Sequence, residues 1–89
     1  MSKYQVELSK RAEKFIVKVE KTSSARILDA LDNLSEDPYG YNGIIKMTGY
    51  NNRFRLKIGK YRVVYSVEND ILLIVVVDID SRGGIYKRM

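Results

Sequence analysis

Apolar and polar residues alternate at the start of the chain, with Tyr4, Val6 and Leu8 set against Lys3, Gln5 and Glu7. A period of two predicts a strand with one buried face. Ser9 follows as a helix cap, and Ala12, Phe15, Ile16 and Val19 then recur at helical spacing. The polar stretch Glu20–Ser23 interrupts the pattern before Ile27, Leu28, Leu31 and Leu34 form a second helical stripe. Asp37-Pro38 stops that helix, because proline disfavours helical backbone in the residue before it. Two helices so close in sequence predict a helical hairpin.

The chain from Tyr39 to Asn52 is loop-rich, and Ile44, Ile45 and Met47 suggest a short strand within it. Beyond it, Phe54, Leu56 and Ile58 alternate with Arg53, Arg55 and Lys57. Gly59-Lys60 suits a two-residue turn of type II′, and Tyr61, Val63 and Tyr65 resume the alternation. Asn69-Asp70 marks a further turn. Ile71 to Ile79 is almost wholly apolar and rich in β-branched residues, which predicts a central strand covered on both faces. Ser81 to Gly84 reads as loop and Ile85-Tyr86 as a last short edge strand. The order of elements predicts an α+β fold: an N-terminal strand, a helical hairpin, then a three- to four-stranded antiparallel sheet with the helices on one face. A length of 89 residues suits a single domain over 1–89.

The predicted turn sets Ile58 opposite Tyr61, Lys57 opposite Arg62 and Leu56 opposite Val63. Arg53, Arg55, Lys57 and Arg62 then share the face turned away from the core. Like charges directly opposed across strands are destabilising, so packing gives no reason for the cluster, whereas a bound phosphate would compensate it. The bland alternative is a solvated strand face with long basic side chains reaching into water. Three converging cations favour the anion site.

Charge agrees with that reading. Lys and Arg number 16 against 11 Asp and Glu, a net charge of +5. Charge alone suits ordinary solubility as well as a polyanionic partner, and its distribution decides between them. The chain has no cysteine, which excludes disulfides and thiolate metal sites, and no histidine, which removes the commonest general base and metal ligand. Asp78 and Asp80 alternate near the end of the long strand, but two carboxylates make a poor metal cage, and pairing with nearby Arg or Lys is the simpler reading. No metal or cofactor is expected. Tyr86 with Lys87 and Arg88 could stack on and grip nucleic acid, or Tyr86 could pack on a sheet edge. Tyr4, Tyr39, Tyr41 and Tyr50 read as core or loop packing. The N-terminus lacks the apolar stretch of a signal peptide, and the run Ile71–Val77 is too short to span a bilayer, so the expected location is the cytoplasm, away from membranes.

The stretch Phe54-Arg55-Leu56-Lys57-Ile58-Gly59-Lys60-Tyr61-Arg62-Val63-Val64-Tyr65, continued into Ser81-Arg82-Gly83-Gly84-Ile85-Tyr86, resembles the RelE/ParE toxin superfamily. The resemblance implies a RelE-like fold of the microbial-RNase type, a cognate antitoxin, and one of two activities. RelE-like members are ribosome-dependent mRNA interferases, and ParE-like members poison DNA gyrase. The positions matching the RelE nuclease set are Arg55, Lys57, Arg62, Arg82 and Tyr86. This chain departs from it in having Asp80-Ser81 before Arg82 and a short spacing from Arg82 to Tyr86.

Metal-free RNA cleavage needs a base for the 2′-hydroxyl, cations for the phosphorane and an acid for the leaving 5′-oxygen. Arginine cannot release its proton near neutral pH, so Lys57 is the expected base. Arg62 and Arg55 would stabilise the developing charge. Arg82 would stabilise or protonate the leaving group, a role that rests on the resemblance, and Tyr86 would orient a nucleobase. Arg53, Lys87 and Arg88 would hold the RNA backbone, and ribosomal RNA suits the same cations. The competing expectations are a ParE-like gyrase poison and a non-catalytic RNA-binding domain.

Overall fold

The computed structural model describes residues 3–81. The expected edge strand at Ile85-Tyr86, and the candidate residues Arg82, Tyr86, Lys87 and Arg88, lie outside them.

Strand β1 runs Gln5–Leu8, helix α1 Lys10–Lys18 and helix α2 Lys21–Glu36. Strands β2 (Ile44–Lys46), β3 (Arg53–Ile58), β4 (Tyr61–Glu68) and β5 (Leu73–Ser81) follow. Ser9 caps α1 as expected: its Oγ accepts from the Ala12 N–H at 3.1 Å and its hydroxyl donates to the Val77 carbonyl at 2.7 Å. One side chain thus starts a helix and ties it to the sheet. The break between the helices is narrower than the polar residues suggested. Glu20 is the N-cap of α2, and Lys21, Thr22 and Ser23 are already helical. Tertiary packing of Ile27, Leu31 and Leu34, all buried, outweighs the modest helix propensity of Thr and Ser.

The five strands form one sheet in the order β1-β5-β4-β3-β2. Three of its pairings are antiparallel, while β1 joins β5 in parallel. The central position belongs to β4, and β5 lies between it and β1. Ile71 and Leu72 precede β5 in an exposed turn, 64% and 41% accessible, so the apolar run overstates the strand by two residues.

One face of the sheet carries Leu56, Tyr61, Val63, Tyr65, Val67, Ile74, Val76 and Ile79, buried in a common core with Ala12, Ile27, Leu31 and Leu34 of the helices. Phe15 meets Tyr61 edge-on at 5.6 Å, which anchors α1, and the Tyr61 hydroxyl bonds Ser23 Oγ at 3.2 Å. Tyr65 stacks on Phe54 and donates to the Pro38 carbonyl at 2.6 Å. Burial pushes the Tyr65 phenol well above its ordinary range, helped by Tyr39 and Asp37.

Candidate phosphate-binding site

The β3–β4 hairpin has the expected register, with Ile58↔Tyr61, Lys57↔Arg62 and Leu56↔Val63. Gly59 turns it with a φ of 58°, while Lys60 keeps a negative φ, the pattern of a type II′ turn. Strand alternation then places Arg53, Arg55, Lys57 and Arg62 on the face opposite the core. The three β3 cations are spaced by two residues, about 6.6 Å per step. Lys57 is exposed, Arg53 and Arg55 are half-buried, and Arg62 is only 7% accessible.

That burial counts against the bland alternative of a solvated strand face, at least for Arg62. The Arg62 guanidinium is held within the sheet, with Nη1 donating to the Tyr61 carbonyl at 3.3 Å. A guanidinium fixed in this way has fewer rotamers to freeze when it meets an anion, and the donors beyond that bond stay fanned for phosphate oxygens.

The carboxylates owe their position to a shift in the strand ladder. Between Val64 and Tyr65 the β4–β5 ladder shifts: Val64 faces Asp78, but Tyr65 faces Val76, leaving Val77 as an extra residue. This bulge reverses the alternation of β5. Without it, Asp78 and Asp80 would follow Ile74 and Val76 into the core. With it, Ile79 enters the core, Asp80 sits opposite Arg62 and Asp78 opposite Val64. One row across the open face therefore reads Lys57, Arg62, Asp80, and the next reads Ile45, Arg55, Val64, Asp78. A simple period-two reading of β5 could not reveal this.

Helix α1 supplies cations that the sequence reading passed over. Arg11 reaches Asp78 at 3.7 Å, bearing out the expectation that Asp78 pairs with a nearby cation. Arg11, Lys14 and Lys18 line a cavity of about 340 Å³ with Phe15, Ile79 and Asp80. An adjoining cavity of about 350 Å³ adds Lys60, Tyr61 and Ser81. The spacing of 11, 14 and 18 on a helix was the available signal, because it puts all three on one face.

Among the described residues, the site is thus a cationic sheet face with one buried guanidinium, one exposed ammonium directly opposite it, and a carboxylate on the far flank. Arg55, Lys57 and Arg62 together place on one face the kind of donors that suit phosphate oxygens.

The family model described as the ParE toxin of type II toxin–antitoxin systems, parDE, matches residues 6–86. A protein of Methanocaldococcus jannaschii that carries the toxin name RelE1 is 29% identical over 87 residues, 96% of this chain and 97% of that one. The fold is similar to that in the RelE–RelB complex of the archaeon Pyrococcus horikoshii, with a TM-score of 0.81 and 28% identity, over 91% of this chain and 97% of that one. It is also similar to the isolated RelE toxin of E. coli, with a TM-score of 0.77 and 22% identity, over 96% of this chain and 93% of that one. With a family model spanning nearly all of its length and a RelE-like α+β fold, the chain belongs to the ParE toxin family of type II toxin–antitoxin systems, within the RelE/ParE superfamily.

Proposed function

We propose that this toxin is a ribosome-dependent, metal-independent endoribonuclease that cuts mRNA. The observation that carries the reading is the Lys57–Arg62 pair, directly opposed across β3 and β4 with Arg55 beside them. The 2′-oxygen attacks the adjacent phosphorus while its proton passes to the Lys57 amine, acting as base. Arg62 and Arg55 bind the non-bridging oxygens as charge builds on the phosphorane. The P–O5′ bond breaks, Arg82 stabilises the departing oxygen, which takes its proton from water, and the products are a 2′,3′-cyclic phosphate and a 5′-hydroxyl. Tyr86 would orient a base, and Arg53, Lys87 and Arg88 would hold the backbone of mRNA or ribosomal RNA. The structural relative from P. horikoshii is a RelE–RelB complex, which supports a cognate antitoxin here, one that masks the basic face in the cytoplasm.

Purified protein on translating ribosomes tests this. Codon-positioned cuts that persist in EDTA, with ribosomes kept assembled, are the expected result. The second reading, a gyrase poison, is favoured by the ParE description of the family model. Gyrase cleavage complexes with intact message would establish it, and RNA binding without cuts would indicate a non-catalytic module.

A further inference from the structure

We propose that Tyr50 and Arg53 form a stacking platform for an unpaired nucleobase, at the end of β3 remote from Lys57. The proposal rests on the RNA reading above and adds to it a second contact for the same strand.

Tyr50 lies in the loop before β3, and sequence alone suggested that it packs. Its side chain instead stands 44% exposed, and the Arg53 guanidinium lies 4.5 Å from its ring centroid. Arg53 belongs to the open-face series with Arg55 and Lys57, so the ring it contacts is held beside that face and not beside the core. The loop is anchored just after the ring. Asn52 donates through Nδ2 to Glu68 Oε2 at 2.9 Å, and its carbonyl accepts from the Val67 N–H at 2.9 Å. Ile45, directly opposite Arg55, is 53% exposed on the same face.

An exposed Arg–Tyr stack stabilises a fold only slightly. The same pair offers what single-stranded RNA binding uses, a π face with a cation on it, next to a basic track. From Arg53 to Lys57 is four strand residues, about 13 Å. The stacked base therefore belongs to a neighbouring nucleotide and not to the one whose phosphate sits at Lys57. Stacking of this kind tolerates any base, so Tyr50 adds affinity and register without a sequence preference.

The probe is a 2′-O-methylated message carrying 2-aminopurine at one position at a time, placed on programmed ribosomes. Wild-type protein should quench the fluorescence most strongly at one position displaced from the scissile step. Tyr50→Leu should abolish that quench and weaken binding at least about fivefold, the lower end for one lost base stack. Its melting curve should be unchanged. Tyr50→Phe, which keeps the ring, should restore both quench and affinity. If Tyr50→Leu binds and quenches as the wild type does at every position, the platform is overturned while the RNA reading stands. If wild-type protein engages no message while gyrase is trapped, the RNA reading falls and the platform with it.

Discussion

Arg62 lies directly across from Asp80 in the β4–β5 ladder, on the flank opposite the one where it meets Lys57. The buried guanidinium is therefore placed between a like and an unlike charge. Asp80 offsets part of the repulsion in the free protein and competes with phosphate in the bound one. Asp80→Asn keeps the Oδ1 that accepts from the Ser81 N–H at 2.7 Å and removes only the charge. RNA affinity should rise about 1.4- to 5-fold at low salt, the size of one exposed charge contact. Titrations at two salt concentrations check it, and weaker binding would mean that Asp80 is needed to hold Arg62 in place.

Replacing Arg62 itself should affect both function and fold. Arg62→Ala should lower single-turnover cleavage by about 10²–10³-fold, as the loss of a fixed oxyanion donor does. Its burial adds a stability loss of about 1–3 kcal/mol, because Asp80 and the Tyr61 carbonyl lose their neighbour. Denaturant melts beside cleavage assays separate the two effects. Full toxicity in cells would refute the nuclease assignment.

Lys57→Arg keeps the charge at an exposed position opposite Arg62. Ribosome binding should stay near normal, while the cleavage rate at saturating protein should drop about 10²–10⁴-fold, the usual loss for a missing base. A rate close to wild type would make Lys57 a phosphate contact only.

Much of this site was legible because the Gly59-Lys60 turn ties register to sequence. With Ile58 fixed opposite Tyr61, every residue back to Arg53 falls into place. What escaped depends on non-local structure. The Val77 bulge that redirects Asp78 and Asp80 lies where β5 leaves its partner β1 at Val76 and meets the Ser9 cap instead. The parallel pairing of β1 likewise has no local signal, since Gln5–Leu8 would alternate in the same way beside any neighbour. The burial of Arg62 runs against the average for arginine, which is where functional sites tend to break such rules.

Tyr65 provides a test of the core by pH. Its phenol titrates above the ordinary 10.0 because of burial first, then Tyr39 and Asp37, so the folded state favours the neutral form. Stability from this group is fully present below about pH 10 and is lost as pH rises beyond that, because the unfolded chain ionises first. Tyr65→Phe keeps the stack on Phe54 but leaves the Pro38 carbonyl without its donor, at a cost of about 1 kcal/mol at neutral pH. Above pH 10 the variant should lose stability less steeply than the wild type. Equal slopes would show that Tyr65 ionises without hindrance.

The parallel contact between β1 and β5 also dictates when the protein can exist during its own synthesis. Gln5 pairs with Leu73 and Leu8 with Val76, so the first strand waits for residues 73–76 before it has a partner. The Ser9 hydroxyl that secures α1 likewise bonds a carbonyl 68 residues away. Contacts of such long range form late, after loop closure has been overcome. A nascent chain released early would lack β5, and with it both the flank of Arg62 and the seat of the first helix. Products cut short before β5 should therefore be inert, and activity should arrive only once Leu73–Ser81 has been made.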